Sequence, residues 1–377
     1  MSGSTLGTHF KISTWGESHG TGIGVVIDGC PAGVELCEAD IQTYLDRRKP
    51  GQTPYTSPRQ EADLVHLQAG VFDGKTTGTP ISLVIYNTNQ KSRDYSEIAS
   101  YYRPGHADYS FDAKYGFRDY RGGGRSSGRE TAGRVAAGAV AAKILSHLNI
   151  FILTYTRAIG PVAITATADQ LLQAKRSSLI QQIRHHPLQM PDPQAAEKAS
   201  HYLDQCIRNK DSAGGIIEAI ITGLPAGIGE PVFDKLDARL AAAILSIGAV
   251  KGFEVGSGFL AAASTGSNNN DSYTISHSGQ IQKNSNHAGG ILGGISDGSP
   301  VIFRAAIKPT PSIATTQTTI NTSGEEISVC ITGRHDPVIV PRAVVVVEAM
   351  TALTVLDLLL ANMGAKIDYL EKIYKRP

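Results

Sequence analysis

Paired cysteine is missing from this chain. The four cysteines, Cys30, Cys37, Cys206 and Cys330, are scattered, with no C-x-x-C pair and no zinc spacing to histidine. That pattern excludes a disulfide framework and a cysteine-rich metal site, and it predicts buried thiols in a reducing cytoplasm. Charge of one sign is also missing: 35 Lys+Arg stand against 34 Asp+Glu, a net of +1. A global basic field for nucleic acid is thereby excluded, so any anion site must be a local cluster. No apolar signal core occupies residues 1–10, and no secretory signal is expected. The most apolar stretch, residues 343–361, is interrupted by Glu348 and Asp357, short of the roughly 18 uncharged residues of a membrane span. Its apolar residues surround a helix on nearly all sides, which predicts burial inside the protein. No G-x-G-x-x-G dinucleotide fingerprint occurs either,.

What the chain does have is glycine, 40 residues of it, much of it in repeated blocks. Gly29-Cys-Pro-Ala-Gly-Val34 returns as Gly223-Leu-Pro-Ala-Gly-Ile228. Gly70-Val-Phe-Asp-Gly74 through Gly78-Thr-Pro-Ile81 returns as Gly290-Ile-Leu-Gly-Gly294 through Gly298-Ser-Pro-Val301. A histidine with a nearby aspartate (His106 with Asp108, His335 with Asp336) is each time followed by an arginine opening an Ala/Val-rich helix, Arg134 and Arg342. Three blocks in one order indicate internal duplication. The expected fold is α/β: a layered β-α-β sandwich of two duplicated halves, sheets outside and apolar helices in the centre. One domain spans 1–377, with halves of about 1–164 and 212–377 and a polar, helical surface insertion of about 165–211. Residues 264–287, rich in Asn, Ser and Gly, read as a long mobile loop.

The densest chemistry lies in Arg121-Gly-Gly-Gly-Arg-Ser-Ser-Gly-Arg-Glu130. Ser127 and Glu130 have capping-box spacing, ahead of an apolar helix. Glycines 122–124 let the backbone approach a ligand, and a helix N-terminus offers free N–H groups and a positive dipole end. Arg118, Arg121, Arg125, Arg129 and Arg134 crowd together there and repel one another unless anions sit among them. A solvated or RNA-binding basic face is the rival reading. The helix that follows is apolar enough to be buried, which favours a ligand site. Four histidines, His19, His106, His287 and His335, sit in Gly-rich or polar turns, free to titrate near neutrality. No pair has metal-ligand spacing with a carboxylate, so no metal is expected. Lys308-Pro-Thr-Pro-Ser312 is a stiffened donor segment suited to a second anion. Gly16-Glu-Ser-His-Gly20 superficially matches a nucleophile elbow, but a strand-like run follows it where an elbow needs a helix.

These motifs, with Arg103-Pro-Gly-His-Ala-Asp108, Tyr115 to Ser127, Ser285 to Ile295 and Gly333-Arg-His-Asp-Pro337, resemble the chorismate synthase family from about residue 6 to 360. The resemblance implies a homotetramer that binds reduced FMN and converts 5-enolpyruvylshikimate 3-phosphate to chorismate and phosphate, with no net redox change. It implies FMN contacts at Arg125, Ser126, Ser127, Gly248, Ala249, Gly293, Lys308, Pro309, Thr310, Pro311, Ser312 and Arg334. It places catalytic roles on His19, His106 and Asp336, and substrate anions on Arg48, Arg134 and Arg342. Some members of the family reduce their own flavin with NADPH, and that point stays open for this chain. Pro54, Gly248 and Pro311 depart from the residues common at those family positions, Arg, Asn and Ser. A flavin oxidoreductase with net redox and an RNA-binding protein are the two other classes to be separated from this one.

Overall fold

Two runs of apolar, largely β-branched residues, Gly22–Asp28 and Gly215–Thr222, become the middle strands of two separate five-stranded sheets. The computed structural model describes residues 3–56, 61–88, 97–276, 279–331 and 336–375. The first sheet is ordered Thr5–Leu6, Lys11–Gly16, Gly22–Asp28, Ile81–Tyr86, Val65–Ala69. The second is ordered Val162–Ala163, Phe151–Ile159, Gly215–Thr222, Val301–Ile307, Val250–Val255. Neighbouring strands run antiparallel in both. Third, fourth and fifth places are filled in each sheet by the strand before the Gly-Pro turn, the strand after the small hairpin and the strand after the first helix. The helices correspond as well: Glu38–Arg48 with Leu236–Leu245, and Thr131–His147 with Val340–Ala361.

These helices form the middle layers. Helix Thr131–His147 carries Ala132, Ala136, Ala137 and Ala141, all fully buried, and its small residues set the spacing. A Cβ at Gly138 would lie 2.3 Å from Cβ of Ala349 on helix Val340–Ala361, and one at Gly133 would lie 3.2 Å from the Gly24 carbonyl oxygen of the first sheet. Helix Thr131–His147 therefore touches both the sheet and its sister helix at backbone distance. Helix Val340–Ala361 is long and apolar enough to cross a membrane, yet it is enclosed by protein. Its two acids serve as internal anchors. Glu348 takes both ends of the Arg47 guanidinium (3.2 and 2.5 Å) and the Thr154 hydroxyl (3.1 Å). Asp357 accepts the backbone N–H groups of Thr8, His9 and Phe10 and a guanidinium N–H of Arg239.

Two segments differ from expectation. Residues 165–211 are helical, with helices Ala168–Leu172, Arg176–His185 and Pro193–Arg208, and the Met190-Pro-Asp-Pro193 break is a cap: Asp192 accepts N–H groups of Gln194 (3.0 Å) and Ala195 (3.1 Å). The segment is more than a surface appendage, because Leu179, Ile183, Ala196, Ala199 and Leu203 join the main core. Within 264–287, strands Tyr273–Ile275 and Ile281–Lys283 pair as a hairpin. A polar hub replaces an apolar core there. Asp271 accepts Ser285 Oγ and the N–H groups of His287 and Ala288 and pairs with Lys283, which also meets Asp297. Composition alone did not reveal this hub, since one buried ion pair leaves the Asn/Ser/Gly content unchanged.

Candidate active site

Helices Thr131–His147 and Val340–Ala361 begin at one cleft of about 610 Å³, whose walls include Ser126 to Thr131 and Ile339. Two positive helix ends thus face one space, although the turn Gly128–Glu130 already engages the N–H groups of Arg129, Glu130 and Thr131,. Five cationic side chains line the cleft (Arg48, Arg129, Lys251, Lys308, Arg342) against three carboxylates (Glu61, Glu130, Asp336). The surplus suits a polyanionic ligand.

The first wall is the turn Arg103 to Asp108. Buried Arg103 clamps the Asp108 carboxylate through Nε and Nη2, both at 2.8 Å, and through its backbone N–H at 3.0 Å. Burial pushes the Asp108 carboxyl up, but Arg103 outweighs it and holds the group below its ordinary range. The clamp presents His106, whose Nε2 lies 2.7 Å from Ser312 Oγ. Lys308 Nζ donates to the Gly105 carbonyl (2.6 Å). Burial, with the nearby Lys251 charge, pulls the Lys308 ammonium below its usual pKa, so an arriving anion would stabilise its charged form. Pro311 fills the space over Gly105, where a Cβ would come within 2.8 Å of the proline. Proline at 311 is thereby matched by glycine at 105. Thr310, Gly248 and Ala249 complete this wall.

The opposite wall is built from arginines. Arg48, the last residue of helix Glu38–Arg48, donates to Asp63 and to the Gly128 carbonyl (3.4 Å). Arg129 donates to the other Asp63 oxygen and to Asn87 Oδ1 (2.8 Å). Arg342 donates to Asp336 and to the Arg48 carbonyl (3.1 Å). Burial pulls the Arg342 guanidinium below its ordinary pKa, Arg48 adding to the effect and Asp336 opposing it.

Some expected residues lie elsewhere. The Arg125 guanidinium turns to the first sheet, donating to Gly16 O (2.9 Å), Thr14 Oγ1 (2.8 Å) and Ser4 Oγ (3.1 Å). Arg134 is engaged by Glu130 (2.8 Å) and the Ser246 hydroxyl (2.6 Å), so it braces two walls where a ligand contact was expected. The capping box does not form: Ser127 Oγ accepts Arg129 N–H (3.3 Å), while the Glu130 carboxylate is turned to Arg134. A 3-10 turn, Gly128–Glu130, leads into the helix. His19 is buried beneath Gly122, where a Cβ would stand 2.7 Å from its Cδ2. Gly293 sits in the turn between Ile291–Leu292 and Ile295–Ser296, and Pro309 packs on Gly214. Arg334 lies outside the described residues, as does His335. Conversely, Arg129, Lys251, Glu61 and Glu130 line the cleft without having been singled out for it. Arg129 and Glu130 lay within the quoted arginine segment. Lys251 and Glu61 carry no motif signal.

The family profile described as Chorismate synthase matches residues 10–360. The chain is 63% identical over 376 residues to chorismate synthase of Agathobacter rectalis and 65% identical over 376 residues to that of Lachnoclostridium phytofermentans, with 100% of both chains covered in each case. It is 49% identical over 363 residues to the chorismate synthase of Methanosarcina mazei, covering 96% of this chain and 97% of that one. A solved structure titled Crystal Structure of Chorismate Synthase superposes with a TM-score of 0.77 at 32% identity, covering 98% of this chain and 97% of that chain. A profile spanning nearly the whole length, relatives matched end to end and a shared fold lead to one conclusion: the chain belongs to the chorismate synthase family.

Proposed function

We propose that this chain is a carbon–oxygen lyase that eliminates phosphate from 5-enolpyruvylshikimate 3-phosphate in an anti-1,4 sense, giving chorismate with no net redox change. The observation that carries the reading is the cleft with two helix N-termini and five cationic side chains. The substrate brings two carboxylates and a phosphate of about −1.5 to −2 charge, and planar arginine forks suit such groups.

The donor set also fits a flavin phosphate. Ser126, Ser127, Thr310 and Ser312 offer hydroxyls, Gly248 and Ala249 offer backbone, and Lys308 offers a charge that burial leaves in need of an anion. Reduced FMN, when bound, would lend electron density to the breaking C–O bond and recover it afterwards. The chain's own residues do the rest. Arg48 and Arg342 hold substrate anions. His106, oriented by Ser312, holds a proton beside the flavin site. His19 is assigned the proton for the leaving phosphate; it lies beneath Gly122 and outside the cleft lining, so that glycine turn has to open for it to reach the ligand,. Asp336, held by Arg342, carries the substrate ring proton away. Arg125 and Arg134 act through the walls they brace.

On the same reading the protein is a cytoplasmic homotetramer acting on a small molecule, with nucleic acid and membrane outside its function. Its single domain divides into halves of about 1–164 and 212–377 around the 165–211 insertion. The matching strand orders of the two sheets support that division. The decisive test is an anaerobic assay with the enolpyruvyl substrate and chemically reduced FMN. Phosphate and chorismate are expected in equal amounts while the flavin stays reduced. One flavin oxidised per turnover would overturn the non-redox reading, and full activity without flavin would overturn the assignment.

A further inference from the structure

A second cavity, of about 310 Å³, lies where the 165–211 insertion packs against the main body, and among the described residues it shares no lining with the cleft. Its walls are apolar: Ala142 and Leu145 near the end of helix Thr131–His147, Ile152 early in strand Phe151–Ile159, and Ile180 of helix Arg176–His185. Helix periodicity puts Arg176, Ile180 and Arg184 on one face, at i, i+4 and i+8, and all three line the cavity,. Both arginines are exposed at the rim, whereas Glu348 at the floor is buried. Glu348 is already held by Arg47 and Thr154. Among the described residues, neither Arg176 nor Arg184 makes a hydrogen bond or an ion pair. The Arg176 guanidinium lies over the Phe151 ring, 3.4 Å from its centroid, and is held there by the ring face. Partial burial and the Arg47 charge pull the Arg184 guanidinium below its ordinary pKa, with Glu348 opposing, so an anion at this rim would stabilise its charged form. Mostly apolar walls with a few convergent polar groups are what small-molecule sites present, in volumes from roughly 300 to 1,000 Å³.

We propose that this cavity binds a small monocarboxylate with an apolar body, its carboxylate taken by Arg184 at the rim and its body enclosed by Ile180, Ile152 and Leu145. A helix rises about 1.5 Å per residue, which sets Arg176 and Arg184 about 12 Å apart along the axis. A single carboxylate therefore meets one of them, and Arg184 is the one with no ring beneath it. Arg176 and Phe151 close the other end of the slot. The buried Glu348 carboxylate would repel an anion set deep, so the ligand enters body first. A free phosphate has no apolar end to fill the walls. The site stands apart from the cleft, so the inference holds whatever reaction the cleft performs.

The alternative is a gap in the packing that takes up no ligand. Calorimetry on the full chain separates the two, with hydrocinnamate as the probe and hydrocinnamamide and acetate as comparators. Saturable binding of hydrocinnamate in the millimolar range or tighter is expected. The amide keeps the body and loses the charge, and acetate keeps the charge and loses the body. Each should bind at least roughly 10-fold more weakly, the scale of one charge-assisted hydrogen bond or of one buried ring. Arg184→Gln should weaken hydrocinnamate by about 10-fold and bring it level with the amide, while Arg176→Gln should cost less. Ala142→Phe fills the cavity from one wall and Ile180→Phe from the other, and either should abolish binding; if one of them does not fold, the other decides. No saturation by hydrocinnamate, equal affinity for acid and amide, or wild-type affinity in Arg184→Gln overturns the inference. Binding that survives the filling substitutions also overturns it, since the acid would then sit elsewhere, as in the catalytic cleft.

Discussion

At the scale of single residues, the cleft is held by short-range partners that make its chemistry testable. His106 is half-buried and reaches Ser312 across the two halves, with its turn fixed independently by the Arg103–Asp108 pair. His106→Ala should therefore leave the thermal midpoint nearly unchanged and lower turnover by roughly 10²–10⁴-fold, the span of a general acid–base group. Turnover per bound flavin and flavin affinity, measured on the same variant, decide the matter; weaker flavin binding with turnover preserved would make His106 a positioning residue. His19 differs. The residue is 7% exposed, its ring enclosed under Gly122, so its replacement should lower stability as well as rate. The sequence shows both histidines in glycine-flanked turns, but only the fold separates the buried one from the half-buried one. The same limit applies to arginines. Five of them crowd residues 118–134, yet Arg129 lines the cleft, Arg125 turns to the first sheet and Arg134 braces Glu130 against Ser246. Spacing along the chain does not encode which way each guanidinium turns.

At the scale of elements, legibility was higher, because strands and helices follow periodicity and glycine marks close approaches. The repeated Gly-Pro blocks pointed to equivalent turns, and the strands that precede them hold the same place in both sheets. What the pattern left out was which glycine sets the distance between layers. Gly138 does so at the crossing of helices Thr131–His147 and Val340–Ala361, where even a methyl group would overlap Ala349 at 2.3 Å. Overpacking of a tight core costs roughly 1–3 kcal/mol, so Gly138→Ala should lower stability by that order despite alanine's better helix propensity. Adding Ala349→Gly should restore part of the loss, and a double-mutant cycle by denaturant unfolding measures the coupling. Additive effects would mean that the helices separate freely and that the crossing is not close-packed.

At the scale of the whole molecule, buried ion pairs fix the fold, some joining distant parts of the chain, as Arg47 with Glu348 and Asp63 with Arg129 do, and others local. Glu348 of the central helix meets Arg47, Asp63 meets Arg48 and Arg129, Asp108 meets Arg103, and Lys283 meets Asp271 and Asp297. In each carboxylate burial acts to raise the pKa, and the partner cations and N–H donors outweigh it, leaving the group below its ordinary value. The unfolded chain therefore binds more protons than the folded one as pH falls through the ordinary carboxylate range near 4. The stability from these pairs is complete above that range and is lost as pH drops towards the folded values, so the unfolding midpoint should fall steeply below about pH 5. The Arg47–Glu348 pair isolates one contribution. Its side chains are 17% and 7% exposed, and an apolar pair of similar volume in such a place is often neutral or stabilising. The double variant Arg47→Met with Glu348→Leu should unfold at neutral pH at about the wild-type denaturant concentration, and its stability should decline less steeply in acid. Glu348→Leu alone should be strongly destabilised at neutral pH, because Arg47 is then left buried without its anion. An acid limb equally steep in the wild type and the double variant would show that this pair is not among the groups whose protonation opens the fold.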